Sequence, residues 1–210
     1  MVQDTMAGRY QKQRLRQRMN QNTLGTNTID TLSVKLRQVA SMNNGERAQL
    51  FHELRAWVAL DPSRLEQIKL WLNLYHVDHP SFQMLSTLLV SIGSPQAQQV
   101  MLDIMASGDA EKQKAMMLKM TFLKAPTVET EQAVSALANS LPPEERLQAK
   151  FVLGGMAHFL MASDPVRSKA IFEQFSDELS SAQNNTEIED SLSVMGNIGL
   201  PEQTDIVNRI

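Results

Sequence analysis

The densest set of ligand-type side chains in this 210-residue sequence is His76-Val77-Asp78-His79. Two imidazoles three positions apart can share one face of a helix. With a carboxylate between them they offer donors that zinc, nickel or copper accept. Pro80 follows at once, so the cluster falls at a helix end, where polar and cationic groups are also favoured by the helix dipole. The expectation is a helix terminus without a metal, and His76, Asp78 and His79 are the residues that would have to supply one. His158 sits in the apolar run Phe151-Val152-Leu153-Gly154-Gly155-Met156-Ala157-His158-Phe159-Leu160. Catalysis by this imidazole would need a nucleophile and an orienting acid close by in space. The sequence supplies neither, so a partly buried, hydrogen-bonded structural histidine is expected. Gly154-Gly155 lacks the preceding strand and the following Gly-Lys-Ser/Thr of a phosphate loop. Two glycines inside a helix weaken it unless something else requires them, and close helix packing is the expected reason.

Methionine is abundant, with thirteen residues, and Met105, Met116, Met117 and Met120 cluster along the chain. An unbranched thioether side chain adapts to a bound helix or lipid, and it equally fills gaps in a core. Core packing is the expected use at this helical spacing. Were these residues instead to line a groove for a partner, the surface would include Gln98, Met101, Met105, Met116 and Met120. No nucleophile elbow, dinucleotide fingerprint or His-Glu-x-x-His pair occurs, so no enzyme activity and no cofactor are expected.

The elements that must hold these residues are helices. Prolines recur at Pro62, Pro95, Pro126, Pro165 and Pro201, with gaps of 33, 31, 39 and 36 residues. Each opens a helix-like pattern, where a missing N–H does no harm. Repeats of roughly 30–47 residues are the mark of helical hairpins. Ile92-Gly93-Ser94-Pro95 reappears as Ile198-Gly199-Leu200-Pro201, 106 residues on. In both, Gly can take the left-handed conformation that closes a helix, and Pro prevents the helix from continuing. Between such corners apolar residues keep the helical period: Leu50, Phe51, Leu54, Trp57 and Val58; Ala97, Val100, Met101, Ile104 and Met105; Ile188, Leu192, Met195 and Ile198. Helices are expected near 30–42, 46–60, 63–76, 80–93, 95–107, 109–124, 126–140, 143–162, 165–181, 186–198 and 201–210. Asp61, Asp109 and Asp164 are expected caps, with Ser81 and Ser163 as caps or their neighbours. The fold class is all-α, an α-solenoid of stacked antiparallel helical hairpins, HEAT-like, with about 10–11 helices. It forms one domain over 29–210, after a basic, disordered or loosely helical segment over 1–28.

Composition narrows the partners. Net charge is −3, which gives no bulk electrostatic footprint for nucleic acid. The charge is uneven: Arg9, Lys12, Arg14, Arg16 and Arg18 crowd one end, whereas Ala170 to Asn208 contains no Lys or Arg. The basic run has only Tyr10 as an aromatic companion, so stacking on bases is not expected. Cysteine is absent, which removes disulfides and thiol chemistry. No apolar run approaches the ~18 residues of a membrane span, and no secretory h-region is present. A soluble chain of unassigned compartment is expected. Asn184-Asn185-Thr186 spells a glycosylation sequon, which carries meaning only in a secretory context. The last helix would end at Ile206 and Ile210 with no polar closing face. Solenoids normally close with one, so a larger parent chain or a second copy is expected to cover that end.

Three turns add a resemblance. Leu88-Leu89-Val90-Ser91-Ile92-Gly93-Ser94-Pro95-Gln96-Ala97-Gln98, Ala125-Pro126-Thr127-Val128-Glu129-Thr130 and Met195-Gly196-Asn197-Ile198-Gly199-Leu200-Pro201 occur in order. From about Leu50 to Ile210 the chain resembles the HEAT-like superhelical domain of the vitellogenin-like large lipid transfer proteins. The resemblance implies that fold and, as an alternative function, lipid handling. Members hold lipid between this domain and large β-sheets, and no β-rich segment occurs here. The expected function is therefore a non-enzymatic scaffold or protein-protein interaction module. Its partner would lie on the concave surface, with helices near 97–105 and 128–137 contributing. The alternative is the helical part of a lipid-binding or lipid-transfer protein.

Overall fold

The computed structural model describes residues 28–199 with the exception of Gly108. The basic segment before Thr28, the helix expected over 201–210 and the uncapped end at Ile206 and Ile210 lie outside the described residues. Within them the fold is all-helical, without a strand. The helices are α1 (Ile29–Gln38), α2 (Asn44–Leu60), α3 (Leu65–Leu74), α4 (Pro80–Ile92), α5 (Pro95–Met105), α6 (Ala110–Met120), α7 (Val128–Ser140), α8 (Pro143–Ser163), α9 (Pro165–Ser181) and α10 (Asn185–Ile198). Short 3₁₀ turns follow α1 at Val39–Ser41 and precede α3 at Pro62–Arg64.

Helix starts are set by side chains that occupy amides left open in the first turn. Thr28, Asn43, Ser94, Asp109, Thr127, Asp164 and Asn184 each accept from the backbone N–H three residues on. Asp61 accepts from the Ser63 amide at 3.0 Å and the Ser63 hydroxyl at 2.7 Å. That hydroxyl first, then the amide and Arg64, holds its carboxyl below the ordinary carboxylate range. Proline stands first in the 3₁₀ turn at Pro62 and in the helices opening at Pro80, Pro95, Pro143 and Pro165. Pro126 departs from the expectation. It lies in the turn before α7, because Thr127 is the cap and the helix opens at Val128. Ser81 is no cap either: its buried hydroxyl donates to the Leu36 carbonyl at 2.5 Å. Ser163 is the last residue of α8. Among the described residues Gly93 and Gly199 are the two of positive φ, at 62° and 74°, the left-handed conformation that closes a helix; Leu200 and Pro201 of the second corner lie outside the described residues.

The contacts group the described chain into two compact units that divide within α4, between Leu88 and Leu89. In the first unit side-chain bonds tie α1 to both α2 and α3. Trp71 of α3 donates to Ser33 at 3.1 Å, and Lys35 reaches the buried Glu53 of α2 at 2.6 Å. Trp57 and Trp71 lie 5.7 Å apart, and the Arg64 guanidinium covers the Trp57 ring at 4.9 Å. Leu32, Leu36, Leu54, Ile68, Leu72 and Phe82 are fully enclosed.

The second unit is organised by α8. Seven of its residues from Val152 to Leu160 are buried, six of them consecutive. A stretch that is apolar all round, as this one is before His158, belongs in the interior. It packs against α6, α7, α9 and α10. Its two glycines serve this packing. A Cβ on Gly154 would stand 3.0 Å from the Val194 carbonyl oxygen of α10, and one on Gly155 would stand 2.5 Å from Cγ2 of Thr121, just past α6. Ser168 donates to the Ala157 carbonyl at 2.7 Å, and Asn197 to the Phe151 carbonyl at 3.0 Å.

Gly155→Ala is therefore expected to lower stability by about 1–3 kcal/mol through overpacking. Gly196→Ala, where a Cβ meets nothing within 4 Å, is expected to raise it by about 0.5–1 kcal/mol through helix propensity. Urea unfolding of the two variants against the parent checks both signs.

Candidate functional site

The residues singled out in the sequence fall into three environments. His76 and Asp78 are exposed at the end of α3, with His76 Nδ1 3.5 Å from the Asp78 carboxylate. His79 turns away from them. Its ring stacks on Tyr75 at 4.6 Å, and its Nδ1 accepts from the Ser81 amide at 3.2 Å. The cluster thus shares its donors with the turn before α4. Among the described residues no group of three or more His, Cys, Asp or Glu side chains is arranged to hold a metal ion. His158 is exposed, not partly buried, yet its Nδ1 does bond the Ile198 carbonyl at 3.0 Å, beside the left-handed Gly199. It tethers the end of α10 to α8.

The groove read from Gln98, Met101, Met105, Met116 and Met120 is corrected by their burial. Met101, Met116 and Met120 are 0% exposed, Gln98 1% and Met105 5%. The four thioethers are core filler, because both faces of α5 and α6 that carry them are covered. Gln98 has a different task. Its Nε2 donates to the Gly93 carbonyl at 3.0 Å and the Ala125 carbonyl at 2.9 Å. Its Oε1 accepts from the Thr127 amide at 2.8 Å and the Thr130 hydroxyl at 2.9 Å. One buried amide thus joins the corner before α5 to the corner before α7. Arg167, at the start of α9, reaches the same corner. Nη1 and Nη2 donate to the Pro126 carbonyl at 3.1 Å, while Nε and Nη2 hold Glu131 at 2.9 and 2.6 Å.

This junction fixes one end of α5, α7 and α9, and a surface cleft of about 690 Å³ opens where α8, α9 and α10 meet. Its walls are the first turns of α8 (Pro143, Arg146, Leu147, Lys150), the last turn of α9 (Glu178, Ser181) and the first turns of α10 (Thr186, Glu187, Asp190). Lys150 and Glu178 close on each other across it. Glu178 also accepts from Gln174 at 3.3 Å. Glu187 accepts from the Gln183 amide at 2.7 Å, and its own amide donates to the Asn184 carboxamide oxygen at 3.0 Å. Arg146 donates to the Leu141 carbonyl at 3.3 Å and is otherwise exposed. The lining carries charges of both signs beside apolar surface from Pro143, Leu147 and Ala182. Its side chains present hydrogen-bond donors, acceptors and charge at the surface. No local pattern in the sequence marks this cleft, because its walls come from three helix ends spread over 143–191.

Comparison with family models, with curated proteins and with solved structures found no match. No described helix is long and apolar enough to cross a membrane.

Gln98→Met, which keeps length and removes both functions of the amide, is expected to cost about 3 kcal/mol or more, since several buried groups lose their partner together. Arg167→Lys is expected to cost about 1–2 kcal/mol, because an ammonium cannot span the carbonyl and carboxylate as the planar fork does. Denaturant midpoints give both values.

Proposed function

We propose that this chain is a non-enzymatic interaction module, a HEAT-like stack of antiparallel helical hairpins in its second unit, which binds an extended segment of a protein partner. The packing order supports the stacking. In the second unit α5 lies on α6 and α7, α6 and α7 both lie on α8, and α8, α9 and α10 lie on one another. Nearest-neighbour packing of this kind is what a solenoid uses to bury its core.

The cleft at the ends of α8, α9 and α10 is the observation that carries the binding. It presents Arg146 from one wall and Asp190 from another, beside an already neutralised Lys150–Glu178 pair. A partner segment with an acidic side chain facing Arg146 and a basic one facing Asp190 fits this distribution. Partners held mainly by rim charges depend on complementarity more than on buried area.

The experiment is native mass spectrometry of the full chain purified from its source cells, in parallel with a charge-reversed Arg146→Glu/Asp190→Lys variant whose helicity is unchanged. The expected result is a protein partner on the parent chain and roughly tenfold weaker retention, about 1.4 kcal/mol, on the variant. A partner retained equally by both would move the binding away from the cleft. Lipid in place of protein would favour the lipid-handling alternative that the resemblance to the large lipid transfer proteins implies.

A further inference from the structure

We infer that Asn44 is a site of spontaneous deamidation, placed where the fold leaves the reaction open. Asn44-Gly45 is the one Asn-Gly pair in the chain. Asn44 is the first residue of α2 and Gly45 the second, and both are exposed. The Asn43 carboxamide accepts from the Glu46 amide at 3.0 Å, and the Arg47 amide donates to the Asn43 carbonyl at 3.0 Å. The Gly45 amide lies between them and donates to no acceptor among the described residues.

That amide is the nucleophile. It loses its proton, and its nitrogen attacks the side-chain Cγ of Asn44. The bond from Cγ to the side-chain nitrogen breaks, and ammonia leaves with the proton it needs. Water then opens the five-membered imide at either carbonyl and leaves aspartate or isoaspartate at position 44. Nothing is oxidised or reduced. Two features of the site favour the attack. Glycine has no side chain to shield the nitrogen, and the positive end of the helix dipole stabilises the deprotonated amide. The backbone of Asn44 must leave its helical conformation to present Cγ. At the first helical position this opens only the terminal turn, which the Asn43–Glu46 capping box holds shut. Asn184 is constrained instead: its side chain accepts from the Glu187 amide, and Asn185 follows it.

The test is incubation of the full chain in mildly alkaline buffer, read by peptide mass and by an isoaspartate-specific methyltransferase. A one-dalton gain is expected on the peptide containing Asn44, with isoaspartate formed. Gly45→Ala and Asn44→Gln are expected to abolish it, each checked for native helicity. Glu46→Ala, which removes one arm of the box, is expected to react several-fold faster. An unchanged Asn44, a gain that persists in Gly45→Ala, or a Glu46→Ala rate equal to the parent's would overturn the inference.

Discussion

The second unit depends on a single buried carboxamide. Gln98 has two N–H groups and a carbonyl oxygen with two lone pairs, and all four capacities are used, on Gly93, Ala125, Thr127 and Thr130. A polar group at 1% exposure is tolerable only when satisfied in this way, and each of its partners would be as costly to leave alone. The bonds are directional, so they fix more than energy. They bring the opening turns of α5 and α7 to one place, and Arg167 adds the opening turn of α9. The middle of α8, buried without a break from Val152 to Ala157, then packs against α6, α7, α9 and α10. Oily side chains supply the driving force, and the amide selects which corners meet.

The helices were legible because their signals are local. Amphipathic stripes gave ten segments whose positions agree with the structure, and Asp61, Asp109 and Asp164 cap the helices they precede. The glycines of the two Ile-Gly-x-Pro sequences were legible for a stereochemical reason, since only glycine adopts their positive φ without strain. Pro126 misled because a proline before a threonine cap looks, in one dimension, like a proline at the first helical position. Gly154 and Gly155 could be read as packing sites, but their neighbours, Val194 and Thr121, are distant in sequence and no local pattern names them.

The site was much less legible. A methionine at helical spacing has the same appearance whether it faces a groove or a core. Only the positions of α5 and α6 relative to their neighbours decide that Met101, Met116 and Met120 are enclosed. Gln98 did carry a signal. It interrupts the stripe of Ala97, Val100 and Met101 on the face that points inward, and a polar residue there needs partners. Their identity lay in a turn about thirty residues on. The cleft has no signature at all, because charge on Arg146, Lys150, Glu187 and Asp190 reads as ordinary solvated surface until three helix ends are brought together.

The reach of Arg167 limits how this unit could change its length. Its guanidinium satisfies a carbonyl that precedes α7, although the residue itself follows α8. The α7–α8 pair is therefore bracketed at both ends by one side chain. Excising that pair, or duplicating it in tandem, would strand the arginine from the Pro126 carbonyl and Glu131 together. Growth by whole-hairpin copying is available to solenoids whose units touch only through apolar faces. Copying α7 and α8 here would require the new copy to bring its own arginine and its own waiting carbonyl, so a polar clasp as well as the core ties the pair in place.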